Sequence, residues 1–381
     1  MRNSSEANGS IHTRDERPSI QSEFRSDSPA TISSRSVGAS RSPMPNGNSD
    51  SPSEGSQSAK PAEDAAQIEA HRTRELKWIS AMSSVPAAQA RKNKKIRKLV
   101  LEGVPASVRY LVWSHLTDSK SKQIPGVYGQ LGKRGKVAAA EAIERDAQRC
   151  FPDQAHLRDP KGPLVSLLQT YLTMVPDIEY QTSLAIIAGH MLLQSPEEDA
   201  FWTFVSMMDL HLRSYFSQKS VQMEADAVVF QKAVESCNPA LAQKLFIDLG
   251  IQPIEVCRPW FTSVFVANLP SEHINRVWDV YMCEGPPFLF RIGIAILSSC
   301  RTAIESTRDR NVVLSLLARP ETRSLLPTNP DDLIESALAV KIKDDDIKKQ
   351  RIKVEAQLKR QTHSTQRAAP MLTSHISLPR S

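Results

Sequence analysis

The sequence predicts an all-α, multi-helix fold, and three observations carry that prediction. Glycine is scarce, at 14 of 381 residues, which argues against a Gly-rich nucleotide cradle or an extensive barrel. From about residue 99 to residue 326, apolar side chains recur at spacings of three and four, the period of a helix with one buried face. Nowhere in that stretch is there a comparable two-residue alternation of the kind a half-buried strand requires.

Residues 1–65 are dominated by Ser, Pro, Asn and Gly with almost no aliphatic clusters. Such a segment cannot bury enough apolar surface to offset the entropy of ordering it, so a disordered Ser/Pro-rich region is expected. Its Ser-Pro steps at Ser28-Pro29, Ser42-Pro43 and Ser51-Pro52 read first as linker composition, with phosphorylation as the alternative. Residues 66–98 regain helix formers (Ile68, Leu76, Trp78, Ile79, Met82) and end in the basic run from Arg91 to Lys98. They predict a basic leading helix with a solvated cationic face; contact with anionic lipid and a nuclear signal are the other readings of that run.

The main domain is expected over 99–326. Leu164, Leu167, Leu168, Tyr171, Leu172 and Val175 form one amphipathic stripe, stopped by Pro176. Similar stripes run through Phe201 to Met208, Val228 to Val234, Leu241 to Leu249, Phe261 to Ala267, Ile274 to Met282 and Phe288 to Ile304. Leu184 to Leu193 is the longest apolar run, about half of the ~20 residues a membrane span needs, and predicts a buried helix. Residues 327–362 predict a charged helical extension from Pro330 to about Gln361, and 363–381 a disordered tail.

The five cysteines (Cys150, Cys237, Cys257, Cys283, Cys300) are odd in number and lack any C-x-x-C pairing, which points away from a disulfide framework or zinc cluster and toward a reducing, intracellular setting. The opening Met-Arg-Asn-Ser-Ser-Glu has no apolar h-region and no glycine at position 2, so neither a secretory signal nor myristoylation is expected. A net charge of +6 suits an anionic membrane or an acidic protein patch as well as nucleic acid, and decides nothing alone. The G-x-x-x-x-G-K-[ST], H-E-x-x-H and G-x-S-x-G signatures are all missing, as is any His or carboxylate set with metal-ligand spacing.

What remains is a series of short blocks in a fixed order. Gly103-Val104-Pro105 precedes Arg109-Tyr110-Leu111-Val112-Trp113. Ile143 to Pro152 contains I-x-x-D-x-x-R as Ile143, Asp146 and Arg149. Then come Pro196 to Trp202, Arg258-Pro259-Trp260-Phe261, and Arg276-Val277-Trp278-Asp279-Val280-Tyr281. In order and spacing these resemble the TBC family of Rab GTPase-activating proteins, over about 220 residues from Leu99 to Arg319.

The resemblance implies a TBC-type helical domain whose partner is a Rab-family small GTPase. It would accelerate hydrolysis on that partner rather than turn over a substrate of its own. No cofactor of its own, no metal and no nucleic acid is implied, since the GTPase carries GTP and Mg2+. A cytoplasmic location, peripheral to endomembranes, follows, with basic segments near anionic lipid. On the motif match Arg149 looks like the arginine finger, a guanidinium inserted in trans that offsets charge building on the phosphate oxygens and is worth about 10³ to 10⁵ in rate. Arginine suits the task because its charge is permanent and its planar fork matches phosphate oxygens.

Asp146, three residues before Arg149, would share its helix face, either as an exposed ion pair worth a few tenths of a kcal/mol or to orient the arginines of the site. Arg109 is expected to bind the GTPase or orient the site, and Trp113, Trp260 and Trp278 to pack in the core. The family's glutamine finger lies in a Y-x-Q-G block, here Tyr180-Gln181-Thr182-Ser183. Thr182 therefore stands where the water-directing glutamine belongs, and Gln181 is one residue early, which on a helix turns a side chain by about 100°. The catalytic residues implied are Arg149 with Gln181 or Thr182, and Tyr180 adjoins them. The sequence thus predicts a weakened GTPase activator, or alternatively a catalytically inactive fold of that family that binds a GTPase and recruits other proteins. A helical scaffold that never meets a GTPase is the third reading.

Overall fold

The stripes become helices almost throughout. The computed structural model describes residues 60–218, 220–320 and 325–368, and these form a single all-helical unit. Helices α1 (Lys60–Ser84) and α2 (Lys94–Glu102) lead into α3 (Arg109–Leu116). After several one-turn segments come α4 (Ala140–Cys150), α5 (Pro163–Met174), α6 (Thr182–Leu192) and α7 (Glu197–Met207). The second half contains α8 (Gln222–Cys237), α9 (Pro253–Thr262), α10 (Ser271–Glu284) and α11 (Pro287–Ser299). It closes with α12 (Arg310–Ala318), α13 (Pro330–Ala339) and α14 (Asp344–Ala368). The extended pairing among the described residues is one isolated antiparallel bridge, Ile178 to Ser217.

Several expected boundaries move, each for a local reason. The leading segment is two helices rather than one. Pro86 cannot continue α1, and the Asn93 side chain accepts from the backbone N–H groups of Lys95 and Ile96, starting α2 afresh. The stripe from Phe261 to Ala267 ends at Thr262, where Val264 and Phe265 turn into the left-handed region at φ 48° and 62°. The Phe265 N–H reaches back to the Trp260 carbonyl, and the Val264 carbonyl accepts from the Trp278 indole at 3.0 Å, so core packing holds the turn. Phe288 to Ile304 is broken at Cys300, and the extension after Pro330 is two helices separated at Val340. The expected disordered regions lie mostly outside the described residues, but α1 and α14 reach six residues into them at either end.

The flanking helices belong to the same core as the rest. Trp78 of α1 is buried and its indole donates to the Gly103 carbonyl at 3.1 Å; by area, burying such a ring contributes about 4 kcal/mol. Arg276 of α10 donates to the Val100 and Leu101 carbonyls at the end of α2 and to Asp331 at the start of α13. At the other end, Arg351 of α14 reaches the fully buried Asp226 of α8. The 327–362 segment and the leading helices therefore pack into the same core as the rest of the described residues.

Trp113, Trp260 and Trp278 are all buried, as expected. The apolar run around Leu184 is the buried α6. No described helix is long and apolar enough to cross a membrane.

Candidate functional site

Arg149 sits in the last turn of α4. Ile143 and Ala147, four residues apart, bury one face of that helix, which leaves Arg145, Gln148 and Arg149 exposed on the other. The negative end of the helix dipole favours a cation there. Among the described residues no hydrogen bond or ion pair engages the Arg149 guanidinium, so it projects ready to meet a partner's anion. Immediately beyond, the Phe151 ring lies against Gly189 of α6. A Cβ at 189 would stand 2.0 Å from the ring, so glycine is what lets the end of α4 seat there.

The ion pair between Asp146 and Arg149 that their spacing allows does not form. Asp146 instead accepts from the Tyr180 hydroxyl at 3.0 Å. Burial first, and then the adjacent carboxylate, hold the Tyr180 phenol well above its ordinary range, which keeps its proton on and donated. The I-x-x-D-x-x-R helix and the loop carrying Gln181 are thereby joined side chain to side chain. The same loop is tied behind: the Glu179 N–H donates to the Phe216 carbonyl at 2.9 Å, and Arg213 holds both oxygens of Asp177. Phe216 follows a short π-helical stretch, Met208–Leu212, a geometry often kept where a helix serves a site. Cys150, beside Arg149, is a poor nucleophile, because burial pushes its thiol up to about 11.

Thr182 is the first residue of α6 and is exposed, with a hydroxyl far shorter than a glutamine amide. Gln181 is half-buried at the N-cap, on extended backbone at φ −137° and ψ 149°. The 100° helical offset therefore does not apply between positions 181 and 182. Gln181 stands on extended backbone ahead of the helix rather than within it.

Arg109 does not contribute to this surface. Its side chain is 12% exposed, and its guanidinium donates inward to Asp279 (Nε to Oδ1, 3.1 Å) and to the Val104 carbonyl (2.8 Å). The Trp113 indole reaches the same Asp279 oxygen at 2.9 Å. The first and last blocks are thus locked to each other, with the Arg109 guanidinium bonded inside the fold. Burial raises the Asp279 carboxyl to about 6 even against Arg109 and Trp113, which pull it down. Sequence reasoning missed Asp279, although it stands inside a quoted block; nothing at sequence level distinguishes a buried carboxylate from an exposed one.

Of the basic run, two arginines are engaged inside the domain: Arg91 donates to the Cys283 carbonyl at 3.2 Å, and Arg97 pairs with Glu284 at 2.6 Å. Lys92, Lys94, Lys95 and Lys98 remain exposed.

Comparison with known proteins agrees with the helical fold. The model of the Rab-GTPase-TBC domain matches residues 106–305. The chain is 32% identical over 250 residues to mouse TBC1 domain family member 10A, covering 64% of this chain and 50% of that protein. With human TBC1 domain family member 10B it shares 30% over 261 residues, covering 67% and 32%. The chain thus spans half or less of the length of these relatives. Among solved structures, the Chlamydomonas flagellar RabGAP TBC domain superposes with a TM-score of 0.59 at 24% identity, over 75% of this chain and 97% of that one. The Drosophila Skywalker/TBC1D24 TBC domain gives 0.57 at 19%, over 73% and 95%. On the family match over more than half its length, the chain belongs to the RabGAP-TBC family.

Proposed function

We propose that this protein accelerates GTP hydrolysis on a Rab-family small GTPase by inserting Arg149 in trans, as an activator that turns over no substrate of its own. The observation that carries the reading is an exposed, unengaged guanidinium at the end of α4, on a helix joined through Asp146 and Tyr180 to the loop that bears Gln181. A cation presented this way meets the charge that builds on the β/γ-phosphate oxygens without first having to break a bond of its own. The GTP and Mg2+ belong to the partner. Cytoplasmic action at endomembranes, in vesicle trafficking, and contact of basic segments with anionic lipid are parts of the same reading.

Water positioning is the weak half of this site. Thr182 holds the place of the glutamine, so the attacking water is directed by Gln181 or by the GTPase's own glutamine. The exposed Thr182 also favours a second reading, a catalytically inactive member that binds a GTPase and recruits other proteins. A purified-protein GTPase assay across a Rab panel, with Arg149→Ala beside the native chain, separates the two. Acceleration on one partner that is lost in Arg149→Ala supports the first. Binding to a GTP-loaded Rab with no Arg149-dependent acceleration supports the second.

A further inference from the structure

The leading helix carries a surface that neither the core nor the candidate site uses. Residues 66–74 of α1 are exposed on every side, so this half of the helix stands clear of the domain, while its C-terminal half docks through Trp78 and Ala81. Ile68, Leu76 and Ile79 follow one another at spacings of eight and three along the outward face, and they are 68%, 57% and 47% exposed. Three large aliphatics on one convex stripe are more than the isolated exposed leucine that any surface tolerates.

Cations frame this stripe. Arg72 lies within it, and a groove of about 550 Å³ beside it is floored by Leu76 and Leu99 and edged by Lys77, Lys95 and Lys98. Lys94 is exposed at the start of α2. The opposing carboxylates nearby are Glu69, Glu75 and Glu102, of which Glu75 faces His71 at 3.1 Å and Glu102 faces Lys98 at 3.7 Å.

We propose that the outer face of α1, with the lysine edge of α2, docks the protein on an anionic lipid bilayer. Charge complementarity selects the occupant's sign. The convex, free-standing helix suits a plane better than it suits the concave pocket of a protein partner, with aliphatics entering the acyl boundary and lysine stems carrying their charges to the headgroups. The inference deepens the reading of a membrane-borne GTPase partner, but its test reads vesicle binding alone and stands or falls apart from GTP hydrolysis.

The test is flotation of the full chain with phosphatidylcholine vesicles and with phosphatidylcholine/phosphatidylserine vesicles, at low and physiological salt. The native chain should float with the anionic vesicles, less so as salt rises. Lys77→Glu/Lys95→Glu/Lys98→Glu should bind on the order of a hundredfold more weakly, at about a factor of five per lysine. Ile68→Ser/Leu76→Ser/Ile79→Ser should lose roughly tenfold or more with every charge in place. All of these side chains are exposed, so thermal melting should be unchanged. Absence of flotation by the native chain, or either triple variant floating as the native chain does, overturns the proposal. So does a loss of Rab binding in the variants with vesicle binding intact, which would make this face a protein contact.

Discussion

The Tyr180 hydroxyl donates to Asp146 at 3.0 Å, and this one bond joins the helix that presents Arg149 to the loop that presents Gln181. If the two must hold a fixed separation, Tyr180→Phe should slow Arg149-dependent hydrolysis by about tenfold, the worth of a hydrogen bond to a charged acceptor. Single-turnover GTP hydrolysis on a responsive Rab measures it. A rate equal to the native one would show that the clasp serves the fold alone.

Thr182→Gln supplies the missing amide at an exposed position where nothing must move to receive it. Hydrolysis should rise by on the order of tenfold or more, since a positioned water adds to what the arginine provides. Gln181→Ala is the companion: a fall in the native chain's rate assigns water positioning to Gln181, and an unchanged rate assigns it to the GTPase.

Gly189→Ala forces a methyl into the Phe151 ring and should cost about 1–3 kcal/mol in urea unfolding. Phe151→Leu in the same chain should recover part of that loss. Independent, additive effects would mean that the ring and the glycine do not meet.

Arg351→Ala strands the buried Asp226, leaving it, among the described residues, the Tyr215 hydroxyl at 2.5 Å and the Gln222 amide at 3.1 Å. Removing one partner of a buried ion pair should destabilise by about 3–5 kcal/mol, whereas Asp226→Leu/Arg351→Met should restore much of it. Urea midpoints of the three proteins provide the comparison.

His190 packs against both the Trp113 and Trp278 rings, and burial, aided by the Arg109 charge, lowers it to about 4. A depressed histidine contributes stability that is complete above its unfolded value near 6.5 and lost as pH falls toward 4. Between pH 7 and pH 5 that loss is about 2 kcal/mol. Asp279, raised to about 6, works with the opposite sign, losing its contribution as pH rises. His190→Leu should therefore flatten the acid side of the stability profile relative to the native chain. A slope that is the same in both would place the proton elsewhere.

The helices and their buried faces were legible because a 3.6-residue period is written locally: Leu164 to Val175 predicts α5 without knowing what it meets. Helix ends were less so. The left-handed turn at Val264 and Phe265 has no glycine to announce it, being imposed by Trp260 and Trp278 from outside the segment. In the candidate site, the blocks pointed to Arg149, Tyr180 and Thr182, but not to the bonds around them. The inward turn of Arg109 depends on Asp279, 170 residues away, and the clasp on Asp146 crosses 34 residues. Pairings of that range have no signature in one sequence.

Asp279 also bears on the order in which the chain can mature. Arg109 and Trp113 emerge from the ribosome long before the carboxylate that both require. At about 5–20 residues per second, 170 residues take roughly 10–30 s to synthesise. Through that interval the Arg109 guanidinium has the Val104 carbonyl alone of its bonded groups, and the Trp113 indole N–H lacks the carboxylate that accepts it in the finished domain. The contact between α3 and α10 therefore closes late, once Asp279 has been made.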